Sequence, residues 1–238
     1  WDARGEAGGV ELKVHKGVPL QSGMGSSAAS AVAAVVAVNT LFDEPLETSQ
    51  LLAYALIGEQ YASGGLHADN VAPSLLGGLV LCPQVLLPEI IRMPVPAGVS
   101  AVLLHPDLQV NTAQARRGLA KGYSMQDWLA QQGLLAGFIV ACAENDMDLL
   151  GKTLKDVIVE PQRKDAVPCF DAVKEAAMKS GAFGCSLSGS GPSMFALCRS
   201  GDARNIASMM EQACRMQGIA CQSWVSSLTA PGAGIENG

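Results

Sequence analysis

The chain has few charged and few aromatic residues. Of its 238 residues, 16% are charged and 5% are aromatic, and the formal net charge is -6. Binding to duplex nucleic acid or to an anionic membrane surface normally requires a basic face, so we expect neither partner. Hydrophobic residues make up 49% of the chain, which excludes a disordered protein. A chain of this length can bury a substantial core without disulfides or a structural metal.

The sequence also lacks the usual cysteine motifs and any long apolar run. Its seven cysteines are odd in number and scattered, without a Cys-x-x-Cys pair or zinc-like Cys/His spacing. They are predicted to be buried thiols in a reducing compartment, either the cytoplasm or, in a plant, the plastid stroma. The longest apolar run near the start, Ala31–Val38, is far short of the roughly 20 residues that span a bilayer.

Hydrophobic periodicity predicts helices and strands without strict alternation, which favours an α+β fold. The pattern predicts a strand over Val10–His15, a helix over Ser26–Phe42 and a second helix over Thr48–Tyr61. Four prolines between positions 83 and 96 place a domain boundary near residue 95. The two predicted domains are residues 1–95 and 96–238.

A loop rich in glycine and serine precedes the first helix. Glycines let the backbone approach an anion, and the N-terminus of the following helix adds partial positive charge. The sequence therefore predicts a phosphate-binding loop. Its predicted binding residues are Pro19, Gln21, Ser22, Gly23, Met24, Gly25, Ser26, Ser27 and Ala28.

Other interpretations of this loop are weaker. A Walker A loop requires a lysine before its Ser or Thr, and this loop has none. Gly23, Gly25 and Ala28 match the dinucleotide fingerprint, but a second helix follows where that fold needs a strand. A simple turn capping a core helix remains open when the loop is taken alone.

Two motifs together resemble those of the GHMP small-molecule kinases. The segment from Pro19 to Ala28 is similar to their central phosphate-binding motif, with Met24 for Leu and with Gln21 where a small residue is commoner. The turn Ser188–Ser193 resembles their third, glycine-rich motif. The resemblance implies an N-terminal domain like ribosomal protein S5, lacking its first strands, and a ferredoxin-like C-terminal domain. Because the chain begins at Trp1 and that family's first motif is not seen, we expect an N-terminally truncated member.

The segment from His67 to Pro73 narrows the resemblance. It reads His-Ala-Asp-Asn-Val-Ala-Pro and is similar to the signature of the homoserine kinase branch. The segment Glu160–Arg163 is also similar to that branch. The resemblance implies transfer of the γ-phosphate of ATP to the hydroxyl of L-homoserine, giving O-phospho-L-homoserine for threonine biosynthesis. It also implies a homodimer.

The resemblance assigns roles residue by residue. Ser27 and Glu59 correspond to Mg²⁺ ligands, which suits a cation that prefers oxygen. Asp69 and Asn70 correspond to the residues at the reacting hydroxyl, where Asp69 either acts as a base or only positions the substrate. The remaining substrate-binding residues are predicted to be His67, Thr112, Arg116 and Arg163, of which the two arginines suit a carboxylate.

Two alternatives to an active homoserine kinase remain open at this stage. The chain is an inactive fragment of that kinase, or it is a GHMP kinase for another small alcohol. The two predicted arginines favour an acceptor that carries a carboxylate.

Overall fold

The chain divides into two compact units, which we describe separately. The computed structural model describes residues 9–108, 119–120 and 122–236. Unit 1 comprises Trp1–Leu20, Gly25–Arg92 and Pro231–Gly238, and unit 2 comprises Gln21–Met24 and Met93–Ala230. The four residues of the glycine-rich loop before Gly25 therefore belong to the second unit, although they lead directly into the first helix of unit 1.

Unit 1 is built around three helices that pack on one another. They are α1 (Ser26–Asn39), α2 (Thr48–Ser63) and α3 (Ala68–Leu76). Helix α2 begins with a capping box between Glu47 and Gln50 and ends at Gly64, whose φ is 73°. Small residues in the core let the helix backbones approach closely. The most deeply buried of these core residues are Ala28, Val32, Ala55, Val71 and Ala72.

A short antiparallel sheet and the last residues of the chain complete unit 1. Strand β1 (Val80–Leu81) pairs with β2 (Ile91–Arg92). A one-turn 3-10 helix, Gln84–Leu86, lies between them. At the end of the chain, Pro231 forms a β-bridge with Gly77, and the Ala233 N–H donates to the Ser74 carbonyl at 2.9 Å. Residues 231–233 thus pack against the C-terminal end of α3.

The strand predicted over Val10–His15 is not observed. These residues form no ladder with any described residue, and the side chains of Leu12 and Val14 are 45% and 51% exposed. The prediction from the alternating pattern was wrong, because a strand is stable only when a neighbouring backbone satisfies its N–H and C=O groups.

Unit 2 contains a four-stranded antiparallel sheet. Its strands are β3 (Val99–Pro106), β4 (Gly184–Leu187), β5 (Met194–Arg199) and β6 (Cys221–Ser227), in the spatial order β4-β5-β3-β6. Helices separate β3 from β4 and β5 from β6, so the topology is the ferredoxin-like β-α-β-β-α-β arrangement. Together with the helices of unit 1, this sheet confirms the predicted α+β class.

Five described helices belong to unit 2, two of which pack on this sheet and one of which carries Arg163 of the candidate site. They are α4 (Met125–Glu144), α5 (Met147–Thr153), α6 (Glu160–Arg163), α7 (Phe170–Lys179) and α8 (Ala203–Met216), and a 3-10 turn, Lys164–Ala166, follows α6. The main hydrophobic core lies between the sheet and helices α7 and α8. Its largest fully buried members are Leu104, Phe170, Met194, Ile206 and Met210. Among the described helices, none combines the length and apolar character needed to cross a bilayer.

The packing of the chain end makes a testable prediction about unit 1. A Cβ atom at Gly232 would lie 2.2 Å from the Leu75 carbonyl oxygen, whereas at Gly234 it would meet nothing within 4 Å. We expect Gly232→Ala to destabilise the protein by about 1–3 kcal/mol, because backbone must shift to admit the methyl group. Thermal unfolding measures this, with Gly234→Ala as the matched control. Equal melting temperatures for the two variants would contradict the described packing.

Candidate active site

The N-terminus of α1 is arranged to bind an anion. Its N-cap, Gly25, is in the left-handed region with φ 71° and ψ 33°, and no side chain of the described residues caps the helix. The amide groups of the first turn have no intrahelical acceptors, and the helix dipole adds positive charge there. Ser26, Ser27 and Ala28, all predicted to bind phosphate, form this turn. The geometry suits a phosphate group.

A buried carboxylate lies beside this helix terminus. The Ser27 hydroxyl donates to Glu59 Oε1 at 3.0 Å, and Glu59 is only 2% exposed. Its other oxygen, Oε2, is buried and has no hydrogen-bond partner among the described residues. A carboxylate in this position is costly unless a cation or donor neutralises it. The pair therefore fits a bound Mg²⁺, which takes one or two protein oxygens and keeps the rest of its shell for phosphate and water.

Lys16 places a positive charge beside this helix terminus. Its Nζ donates to the Ser26 carbonyl at 2.9 Å and to the Ser26 hydroxyl at 3.3 Å. The Ser26 hydroxyl in turn donates to the Val18 carbonyl at 3.0 Å. A cation at a helix N-terminus is unfavourable by itself, so this placement also favours an anion at the same end of α1. Lys16 precedes the motif Pro19–Ala28 and is not part of it.

Helix α3 of unit 1 carries Asp69 and Asn70, which are predicted to lie at the reacting hydroxyl. Asp69 lies in its first turn and is exposed. Asn70 is half-buried beside Gly25, since a Cβ at that glycine would lie 3.2 Å from Asn70 Oδ1. The start of α3 therefore lies against the N-cap of α1. The Asp69 charge also contributes to a raised pKa of the half-buried Cys82 thiol, although burial is the larger cause.

His67 is the N-cap of α3. Its carbonyl oxygen accepts from the Asn70 and Val71 N–H groups at 3.0 and 3.1 Å. Its ring lies over Gly65, where a Cβ would be 3.1 Å from Nε2. The backbone of His67 thus starts the helix that carries Asp69, and its half-buried side chain lies beside the same turn.

The loop of residues 21–24 is held by the turn Ser188–Ser193, both within unit 2. The Ser193 N–H donates to the Ser22 carbonyl at 3.2 Å, and the Ser188 hydroxyl donates to the Gly23 carbonyl at 2.9 Å. Gly23 has a φ of 76°, and a Cβ there would lie 2.3 Å from the Ser188 carbonyl oxygen. Only glycine fits this backbone.

The other predicted loop residues have distinct roles. The Met24 N–H donates to the hydroxyl of the buried Ser22 at 3.2 Å, which closes a tight turn inside the loop. Gln21 is exposed and has a φ of 53°, an uncommon conformation for a residue with a side chain. Pro19 is half-buried. Gln21, which stands where the family more often has a small residue, therefore has a backbone conformation that glycine adopts more easily.

Arg163 contacts the same glycine-rich turn. Its Nη1 donates to the Gly189 carbonyl at 3.0 Å. The short helix α6 holds the arginine there, and the N–H groups of its first residue and of the two residues before it donate to the Asp156 carboxylate at 2.7–3.1 Å. These N–H groups belong to Ile158, Val159 and Glu160.

Glu160 anchors α6 in the structure. It is buried, accepts from the Ser186 hydroxyl at 2.6 Å and forms an ion pair with Lys174. Because Ser186 lies on β4 and Lys174 on α7, the carboxylate fixes α6 to two other elements. The sequence prediction did not include Glu160, although it is part of the Glu-Pro-x-Arg segment. Thr112 and Arg116, the other predicted substrate-binding residues, lie outside the described residues.

The packing of Gly23 makes a prediction about nucleotide binding. We expect Gly23→Ala to weaken ADP binding by at least about 10-fold. The added methyl group would push the loop away from the turn at Ser188, and alanine is strained at the positive φ of this position. Isothermal titration with ADP measures the effect. Gly17→Ala is the control, since a Cβ there meets nothing within 4 Å. Unchanged affinity in Gly23→Ala would contradict the role of this loop.

Family models match both parts of the chain. The model described as the GHMP kinases N terminal domain matches residues 2–78, and the model described as GHMP kinases C terminal matches residues 138–215. The first match includes Ser27, Glu59 and Asp69, and the second includes Arg163 and the turn Ser188–Ser193. Both motif regions singled out in the sequence therefore lie inside matched segments.

Individual proteins are also similar to this chain over most of its length. A homoserine kinase of Xylella fastidiosa is 42% identical over 226 residues, which cover 94% of this chain and 69% of the relative. A homoserine kinase of Chlorobaculum tepidum is 40% identical over 231 residues, covering 96% of this chain and 71% of the relative. The crystal structure of homoserine kinase from Cytophaga hutchinsonii matches with a TM-score of 0.88 and 43% identity, covering 91% of this chain and 69% of that one.

More distant structures share the fold alone. The Leishmania major mevalonate kinase matches with a TM-score of 0.69 at 19% identity, covering 90% of this chain and 68% of that chain. The two relatives and the crystal structure named above are homoserine kinases at least 40% identical to this chain, and the two family models match residues in both units. The chain therefore belongs to the GHMP kinase family and, within it, to the homoserine kinases.

Proposed function

We propose that the protein transfers the γ-phosphate of ATP to the hydroxyl group of L-homoserine and so forms O-phospho-L-homoserine for threonine biosynthesis. The observation that carries this proposal is the similarity to homoserine kinases along almost the whole chain. The uncapped N-terminus of α1, with its buried carboxylate, supplies a site suited to the phosphates of the nucleotide.

The phosphate groups of ATP lie against the first turn of α1 in this proposal. The amide groups of the turn that follows Gly25 donate to phosphate oxygens. Lys16 adds charge neutralisation at the same helix end. Positioning and electrostatic stabilisation account for most of the catalysis of phosphoryl transfer, so a preformed amide cradle is the main contribution of the protein.

Ser27 and Glu59 are the residues that would hold Mg²⁺. The buried Oε2 of Glu59, which lacks a hydrogen-bond partner among the described residues, supports this assignment. When bound, the ion would neutralise charge on the phosphate oxygens. Until then, Glu59 holds the Ser27 hydroxyl in a fixed orientation at 3.0 Å.

The acceptor is bound through its polar groups. Asp69 accepts a hydrogen bond from the reacting hydroxyl or the ammonium group, with Asn70 and His67 as polar neighbours. Arg163, with Arg116 and Thr112, binds the carboxylate. The hydroxyl oxygen forms the new bond to the γ-phosphorus, the bond from that phosphorus to the bridging oxygen breaks, and the hydroxyl proton is released. The products are phosphohomoserine and ADP.

The compartment and assembly are part of the proposal. All seven cysteines lie in the described part of the chain, where they are free thiols, five of them buried. Free thiols favour a reducing compartment, for which we propose the cytoplasm. We also propose a homodimer, on the resemblance alone. Sedimentation of the purified protein would measure its mass.

A coupled assay of ADP release tests the proposed activity. The chain is incubated with Mg²⁺ and ATP, and L-homoserine is compared with mevalonate and galactose. We expect turnover only with homoserine. Turnover with another alcohol would contradict the substrate, and absence of turnover with all three would contradict activity in this chain, which spans 69% of the Xylella fastidiosa relative.

The buried carboxylate gives a prediction about the metal. We expect Glu59→Gln to lower kcat by on the order of 100-fold, since a metal ion contributes several kcal/mol to stabilising the transition state. We also expect Mg²⁺ to lose its effect on ADP affinity in this variant, which titration measures without turnover. Glu47→Gln is the control, because it neutralises an exposed carboxylate at the start of the same helix and keeps the capping oxygen. A normal Mg²⁺ response in Glu59→Gln would refute the assignment.

Arg163 gives a prediction that separates two roles. If it binds the substrate carboxylate, we expect Arg163→Met to raise the KM for homoserine by about 10-fold or more and to leave the KM for ATP nearly unchanged. If it only supports the turn at Gly189, the KM for ATP rises instead. Steady-state kinetics with each substrate varied distinguishes these results. The exposed Arg204, replaced by Met, serves as the control.

A further inference from the structure

A histidine outside every matched motif contacts the turn that holds the phosphate loop. His105 lies near the end of β3, and its Nδ1 is 3.0 Å from the hydroxyl oxygen of Ser193. Ser193 is the last residue of the glycine-rich turn and is fully buried. The two residues are 88 positions apart in the chain, so no local pattern brings them together.

Ser193, together with Ser188, holds the loop backbone. Its N–H donates to the Ser22 carbonyl at 3.2 Å, and the Ser22 hydroxyl accepts the Met24 N–H. A continuous series of hydrogen bonds therefore runs from His105 through Ser193 to the residues that precede Gly25. All of these residues except Gly25 belong to unit 2.

The chemistry of His105 suits a fixed hydrogen bond. A buried hydroxyl left without a partner is costly, and Nδ1 supplies one whichever tautomer is present. Burial lowers the pKa of His105, while the nearby Asp107 carboxylate acts in the opposite direction. The ring is therefore neutral at physiological pH. A neutral imidazole fixes the hydroxyl without adding a charge to the loop.

We propose that His105 is a positioning residue for nucleotide binding, which acts through Ser193 to hold the backbone of Ser22 and the loop that follows. This inference rests on the proposed function, since it assigns the loop to the phosphates of ATP. His105 touches neither substrate. Its loss changes the orientation of Ser193 and so the shape of the loop that leads into α1.

The test uses variants that keep or remove a polar atom at the position of Nδ1. His105→Phe retains a ring but no nitrogen, whereas His105→Asn keeps a polar atom at the δ position. Ser193→Ala removes the hydroxyl and leaves the backbone N–H in place. We expect His105→Phe and Ser193→Ala each to weaken ADP binding by about 3- to 10-fold, the effect of one hydrogen bond, and His105→Asn to restore most of the affinity. The double variant should be no weaker than either single variant.

Kinetics provide the readout that a merely structural role would not move. We expect the KM for ATP to rise in His105→Phe, with kcat and the KM for homoserine within about twofold of the parent chain. The control is Ser200→Ala, which removes the partner of the buried Ser100 hydroxyl at the other end of β3, where the two oxygens are 2.8 Å apart. Thermal unfolding of each variant shows that the folded state is retained.

The outcomes separate this inference from the function on which it rests. If the parent chain does not bind ADP, the proposed function fails and the inference with it. If the parent chain binds ADP and His105→Phe binds it equally well, only the inference is overturned. Equal weakening in Ser200→Ala, or no recovery in His105→Asn, also overturns it, because either result would show a general loss of stability.

Discussion

The close approach of Gly23 to the turn at Ser188 is the constraint on which the candidate site depends. The two segments are 165 residues apart in the chain, yet the Ser188 hydroxyl donates to the Gly23 carbonyl and no space remains for a side chain. This contact sets the path of the loop before it enters α1. Along the chain, the loop leads to Gly25, the N-cap of α1, and the first amides of that helix are the proposed phosphate donors.

Two buried glutamates show how the same residue type serves different purposes. Glu160 has its charge matched by Lys174 and a second hydrogen bond from Ser186, so it acts as a structural anchor. Glu59 has one hydroxyl donor and an unpartnered oxygen among the described residues. An apolar residue would be more stable at this position than a buried carboxylate with an unpartnered oxygen. A protein therefore retains such a carboxylate where function requires it. The contrast supports a cation at Glu59 and none at Glu160.

Sequence reasoning was most successful where the signal is local. The helix after the glycine-rich loop and the second helix are both observed close to their predicted bounds. It was wrong at Val10–His15, where alternation predicted a strand but no partner strand is described. The hydrogen bonds that Lys16 and Glu160 form were not predicted either. Each acts through a contact with a segment at least ten residues away, which periodicity cannot reveal.

The sequence by itself determined the family, the order of the motifs and the residue types at the site, because glycine positions, helix periodicity and short motifs are local properties of a chain. Only the tertiary structure decided which residues share a hydrogen bond. It paired Ser27 with Glu59 and placed His105 on Ser193, contacts across 32 and 88 residues. Such pairs form because burial forces each polar group to find a partner, and the partner is chosen by the packing of whole elements.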